Sequence, residues 1–326
     1  MIKTKNVLYA LGFVLAAGSV VGFAASGPKR TQVAGIGWYD SFEVAKTEAK
    51  RTQRPILLLS LFGKLDEKMP CTNARTLRAT LFLDPEFKAL VTKDVIPAWE
   101  MVRAVPHIEI DLGDGKKITR TVRGNAVMYL CTPDGKVLDA YPGVYTSKDF
   151  MPMVRESLAK LAKSDGKEII AYHKAHGRIV RPLQMTYGKM FVESPTLDFI
   201  GANRITGSVT PIVKNIRPAE RDFLLSAQGL RDMSLTPMIP GEIVYTVAGR
   251  PKGDISPNDM AQSILDSDSH NNVENVRAVV HLYFASLEKL PTPHEARDAI
   301  LQTILKIPYK DPYFGLKDVL LPGTPD

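Results

Sequence analysis

Apolar residues at spacings of three and four mark the first helix. Phe42, Ala45 and Ala49 share a stripe, while Glu43, Lys46, Glu48 and Lys50 cover the other side. Ser41 precedes the stripe as an N-cap, and Arg54-Pro55 ends it, because proline has no amide hydrogen to continue a helix. The pattern then changes to the apolar run Ile56 to Phe62, which predicts a strand buried on both faces. Leu77, Leu81 and Phe82 predict a helix from about Asn73. Asp84-Pro85-Glu86 opens another, with Phe87, Leu90 and Val91 on one face. Val95 to Val102 predicts a second strand. Ile108 to Asp111 and Lys116 to Val122 flank Gly113-Asp114-Gly115 as a hairpin. Ala126 to Cys131, the turn Pro133-Asp134-Gly135-Lys136 and Val137 to Tyr141 predict two further strands. Ser147 to Ala162 closes the series as an amphipathic helix through Phe150, Val154, Leu158 and Leu161.

The remainder reads as a second unit. Residues 163–167 are polar and contain a glycine, which suits a boundary. Residues 183–217 predict short strands, 218–230 a helix and 242–247 a strand. Ser256-Pro257-Asn258-Asp259 and Thr292-Pro293-His294-Glu295 both place a hydroxyl cap before a proline and an acid three residues on, the grammar of a helix start. Between them Val273, Val276, Val280, Tyr283, Phe284 and Leu287 form one apolar stripe. The expected organisation is a leader over 1–25, a linker over 26–37, a first domain over 38–163 and an α+β unit over 165–326 whose C-terminal part is mostly helical.

The leader comes from the N-terminal charge pattern. Lys3 and Lys5 precede an uncharged apolar or small stretch from Val7 to Ala25, and Gly22 and Ala24 offer small residues at a cleavage site. This predicts a secretory signal peptide; the alternative is an uncleaved anchor, since the stretch is about long enough to span a bilayer. Either way the bulk of the chain is expected outside the cytoplasm, with another cell-envelope protein as the expected partner. The net charge of +7 includes those two lysines, and the remaining basic residues are scattered, so no nucleic-acid footprint is expected.

Candidate chemistry is sparse. HExxH, P-loop, GxSxG and dinucleotide fingerprints are absent, and no cofactor is expected. The only cysteines are Cys71 and Cys131. His173 and His176 lie three apart beside Lys174 and Arg178, and a solvated surface is expected for them. His270, Glu274 and His281 are spaced to share a helix face and are the weak candidates for a metal or small-ligand site; His281 also suits a core position.

Residues 38–162 resemble the thioredoxin-like superfamily, in particular its exported members. The matching features are the helix ending in Arg54-Pro55, the strand Ile56 to Phe62, Cys71 at the following loop–helix junction, Asp84-Pro85-Glu86-Phe87, and Leu130-Cys131-Thr132-Pro133-Asp134-Gly135-Lys136-Val137 with Pro142-Gly143 beyond. The resemblance implies a three-layer α/β/α domain. It also implies dithiol chemistry at C-x-x-C, where one thiolate attacks a disulfide and a second sulfur resolves the intermediate. Here Cys71 holds the first position and Ala74 the second. Pro70 stands where the family has tryptophan, and Ala126 where it has a cis-proline. The family's layout also puts Cys131 far down a central strand from Cys71, so no bond between them is expected. Three functions remain: a non-catalytic binding scaffold, a monothiol redox protein acting through Cys71 by mixed-disulfide formation or oxidant sensing, and a metal or small-ligand binder through the C-terminal histidines.

Overall fold

The computed structural model describes residues 28–178, 265–266 and 268–317. The leader, the elements expected between 183 and 247 and the helix start at Ser256 lie outside the described residues. Within them the protein is a mixed α/β structure: a six-stranded mixed sheet, a two-stranded hairpin and seven α-helices.

The chain begins with β1 (Arg30–Val33) and β2 (Ile36–Tyr39), paired antiparallel. This corrects the expected linker over 26–37. Ala34 and Gly35 both take positive φ, 54° and 79°, the mirror-image turn that matches strand twist, and Trp38 is fully buried. Helix α1 (Phe42–Thr52) follows, capped by Ser41 and ended by Gln53 in the left-handed conformation. Strand β3 (Ile56–Phe62) is buried at every position, as its apolar run predicts. Helices α2 (Thr72–Ala79) and α3 (Pro85–Lys93) lead to β4 (Ile96–Arg103). The Asp84 carboxylate caps α3 by accepting from the Glu86 and Phe87 amides at 2.8 and 3.0 Å. The hairpin of β5 (His107–Asp111) and β6 (Lys117–Thr121) stands outside the main sheet. Strands β7 (Ala126–Cys131) and β8 (Val137–Pro142) and helix α4 (Ser147–Leu161) complete the series.

The sheet order is β1-β2-β4-β3-β7-β8. Strands β2, β4 and β3 are mutually parallel, while β7 and β8 run antiparallel to their neighbours. Right-handed crossovers in opposite directions, β2 to β3 and β3 to β4, put α1 and the α2–α3 pair on opposite faces. Helices α3 and α4 join over one face through Phe87 and Phe150, whose ring centroids are 5.7 Å apart, and Phe150 lies 5.2 Å from Tyr141 of β8.

The C-terminal stretch packs on this same core. Helix α5 (Gly166–His176) and helix α6 (Arg277–Ala285) lie beside the outer edge of β8, and α7 (Pro293–Asp298) reaches the face opposite α4 through Arg297, which donates to Glu100 at 2.6 Å. Both α6 and α7 are continuous with a π-helical turn, Asn272–Val276 before α6 and Ala299–Ile304 after α7. The expected apolar stripe lies against the core, with Val280 and Phe284 buried and Val273, Val276, Tyr283 and Leu287 packed beside them, and the turn before α6 adds polar residues to that side. One extra residue per turn brings Asn272, Arg277 and His281 to the buried side with Val280 and Phe284, and leaves Val273 and Val276 half-buried.

Leu58 has no solvent exposure in the middle of β3, so Leu58→Ala is expected to cost about 2–5 kcal/mol in denaturant unfolding, by lost burial and a residual cavity. Val44→Ala, on the open side of α1, is expected to stay within about 0.5 kcal/mol of the parent.

Candidate functional site

Two places concentrate chemistry: the junction around Cys71, and a buried polar cluster at the edge of β8.

Cys71 is the N-cap residue of α2, and its amide donates to Phe62 O at 3.0 Å, which pins it to the end of β3. Its sulfur lies near the backbone amides of Ala74 and Asn73, where a helix start favours a thiolate. Burial outweighs them. The side chain has no solvent exposure, and desolvation pushes its pKa up to about 11, against the lowering from those amides and Arg78. Cys71 is therefore a neutral thiol, and its Sγ donates to Asn125 O at 3.3 Å. Asn125 also accepts from Asn73 Nδ2 at 2.5 Å and caps the Ala126 amide at 2.7 Å. The peptide bond before Ala126 is trans. Gly124, at φ +91°, closes the pocket, since a Cβ there would sit 2.8 Å from Cys71 Cβ.

Cys131 is also a free, buried thiol, with its pKa raised by desolvation and then by Glu100. It pairs with Ile56 at the opposite end of β3 from Phe62, which puts the two cysteines roughly 20 Å apart at the rise of a strand.

The second place joins five side chains from four elements. Arg277 of α6 grips Asp139 of β8 with both terminal nitrogens, at 3.1 and 2.9 Å, and donates to Ala140 O at 2.8 Å. Ser157 of α4 donates to the same carboxylate at 2.6 Å. Arg277 Nη2 lies 3.2 Å from His281 Nε2, the two histidines meet Nδ1 to Nδ1 at 2.7 Å, and His173 Nε2 lies 2.8 Å from Leu138 O. The ends of this chain fix its protons. A guanidinium only donates, so His281 Nε2 accepts; a carbonyl only accepts, so His173 Nε2 carries hydrogen. His281 then holds its proton on Nδ1 and passes a hydrogen bond to His173 Nδ1. Both rings are neutral, and a further proton has no acceptor and faces a guanidinium.

The electrostatics agree with that chain. Desolvation lowers the pKa of both histidines, His281 to about 3, against the pull of Asp139. Asp139 is held well below the carboxylate range: desolvation acts upward, but the charge and hydrogen bonds of Arg277 outweigh it.

This placement corrects two expectations. His173 is fully buried and not solvated, because Leu138 O and His281 satisfy both its nitrogens. The metal candidates do not assemble as a set: His281 joins Asp139 and His173, Glu274 pairs with Arg178 at the surface, and His270 is exposed. Asp139, His173 and His281 are the one trio of ligand-type groups within 4.8 Å among the described residues. The trio does not fit a cation. Its carboxylate is already paired to a fixed guanidinium, and its imidazoles bond to each other. Sequence reasoning missed Asp139 and Arg277 altogether. The signal was an aspartate inside an otherwise apolar strand and an arginine four residues before a histidine on an apolar helix.

Asp139→Asn leaves Arg277 buried without its counter-charge, and is expected to cost about 3–5 kcal/mol in urea unfolding at pH 7. The histidines set a pH dependence. Their folded pKa values lie below the unfolded 6.5, so the unfolded chain takes up protons first as pH falls. Their stabilisation is full above about pH 6.5 and lost progressively below it, with a slope of up to about 1.4 kcal/mol per pH unit for each ring. His281→Gln is expected to flatten that slope between pH 6.5 and 4.5; an unchanged slope would place the titration elsewhere.

Comparison of the chain with protein-family models, with curated proteins and with solved structures finds no match to any of them.

Proposed function

We propose that this chain is an exported protein of thioredoxin-like fold that has given up dithiol exchange and serves as a binding scaffold for another cell-envelope protein. Three things support the fold reading. The order β2-β4-β3-β7-β8, parallel through β3 and antiparallel beyond it, is the layout the resemblance implies. Cys71 stands at the start of the helix that follows the central parallel strand. Helix α4 closes on the antiparallel pair. Export rests on the leader sequence alone.

The observation that carries the functional reading is the state of Cys71. Nucleophilic exchange needs a thiolate that a partner disulfide can reach. This sulfur is buried, protonated and committed as a donor to Asn125 O, with Ala74 where a resolving thiol would stand. The monothiol alternative needs the Ala74 and Asn73 amides to prevail over burial, and the upward push of burial on this thiol speaks for the scaffold.

Thiol trapping on the native protein tests the reading. At pH 7.5 Cys71 is expected to resist alkylation and to react only after denaturation, and insulin disulfides are expected to stay intact in its presence. A Cys71 that reacts in the folded state, or a mixed disulfide with an envelope protein that vanishes in Cys71→Ser, would favour the monothiol redox function instead.

A further inference from the structure

The C-terminal stretch from Lys306 to Lys317 crosses the end of the sheet where β3 and β4 finish, and it is held there in an unusual way. Each backbone N–H bond that it makes from Tyr309 onward is local: Tyr309 to Ile307 O, Asp311 to Pro308 O, Tyr313 to the Asp311 carboxylate, Phe314 to Asp311 O and Leu316 to Tyr313 O. No ladder joins it to the sheet. Its carbonyls are taken instead by two arginine side chains. Arg103, at the end of β4, donates to Tyr309 O at 2.7 Å, Asp311 O at 2.8 Å and Pro312 O at 3.4 Å. Arg123 donates to Phe314 O at 2.7 Å. One ring is also captured. Phe314 is fully buried edge-on against Phe62, with centroids 5.2 Å apart, and the Arg103 guanidinium lies 4.9 Å from its centroid.

Backbone strain gathers at the same place. Five described non-glycine residues have positive φ, and three of them are here: Lys306 and Phe314 in the crossing stretch, and Arg123 beneath it. Phe314-Gly315 faces Arg123-Gly124, and all four residues are in the left-handed region. The approach is close, since a Cβ on Gly315 would come within 2.4 Å of Arg123 Nη1. A phenylalanine held left-handed is kept there by its surroundings, and such strain collects where a segment has two states.

We propose that residues 306–317 are a releasable strap filling a peptide-binding seat, and that the seat accepts in trans a short segment carrying an aromatic residue followed by glycine. The seat reads main-chain carbonyls through Arg103 and Arg123 and one ring through Phe62, which suits a peptide of little regular structure. While tethered, the strap competes at the millimolar effective concentration of a short linker, so a free peptide binds the resting protein weakly.

Two measurements on the full chain test this. In native-state hydrogen exchange of the wild type, the Asp311, Phe314 and Leu316 amides are expected to exchange at least about 100-fold faster than those of β3, through a local opening. In fluorescence anisotropy, a labelled peptide of residues 306–317 is expected to bind the Phe314→Ala protein at least about ten-fold more tightly than wild type. A peptide with alanine in place of its phenylalanine, and an Arg103→Ala/Phe314→Ala protein, are both expected to lose that binding. Gly315→Ala, whose added Cβ would crowd Arg123 and so displace the strap while leaving every seat residue in place, replaces Phe314→Ala if that variant does not fold. Strap amides as slow as the core, or a folded released variant that ignores the peptide, would overturn the proposal. Neither result bears on Cys71, whose thiol chemistry is read separately.

Discussion

The outer edge of β8 is the constraint around which this molecule is arranged. A terminal strand presents unpaired carbonyls, and proteins must cover them or risk pairing with another chain. Here the covering is done by two side chains and one backbone carbonyl. His173 meets Leu138 O, Arg277 takes Ala140 O, and the Val137 amide goes to Pro291 O at 2.8 Å. Arg277 can be buried there because Asp139 neutralises it, and Asp139 can be buried because Arg277 and Ser157 occupy its oxygens. The π-helical turn before α6 follows from this need. It brings the polar residues of that helix to the inside, against the pull of the valines.

The Cys71 junction shows two opposing influences on one sulfur. A helix start lowers a thiol's pKa and burial raises it. Phe62, Gly124 and Asn125 close around the side chain, so burial prevails and the sulfur becomes a donor in the packing. The tight approach of Gly124 shows how the closure is built: a side chain at that position would meet Cys71.

Most of the elements within the described residues could be read from the chain, and the reasons are local. Strand β3 was plain because both its faces are buried, leaving no alternation to decode. The ends of α1 and α3 were plain because Ser41, Pro55 and Asp84-Pro85 act within one turn of themselves. The β1–β2 hairpin escaped because its turn, Ala34-Gly35, needs a left-handed alanine that no turn rule favours. The buried cluster escaped for a different reason. Asp139, His173, Arg277 and His281 are brought together across more than a hundred residues of chain, and no local spacing links Asp139 or His173 to the other two. Periodicity assigned His281 to a helix face shared with His270 and Glu274. A helical turn of changed pitch gave it other neighbours, which no regular spacing could foretell.

The placement of the two sulfurs at opposite ends of β3 bears on how the fold is held together and how its thiols are guarded. Both cysteines are free, so nothing covalent links distant parts of this chain. The described fold is therefore held by packing and hydrogen bonds, without a disulfide for a thiol reductant to cut. Burial of both thiols then also guards them: an oxidant or a stray disulfide in solvent finds no accessible sulfur to attack.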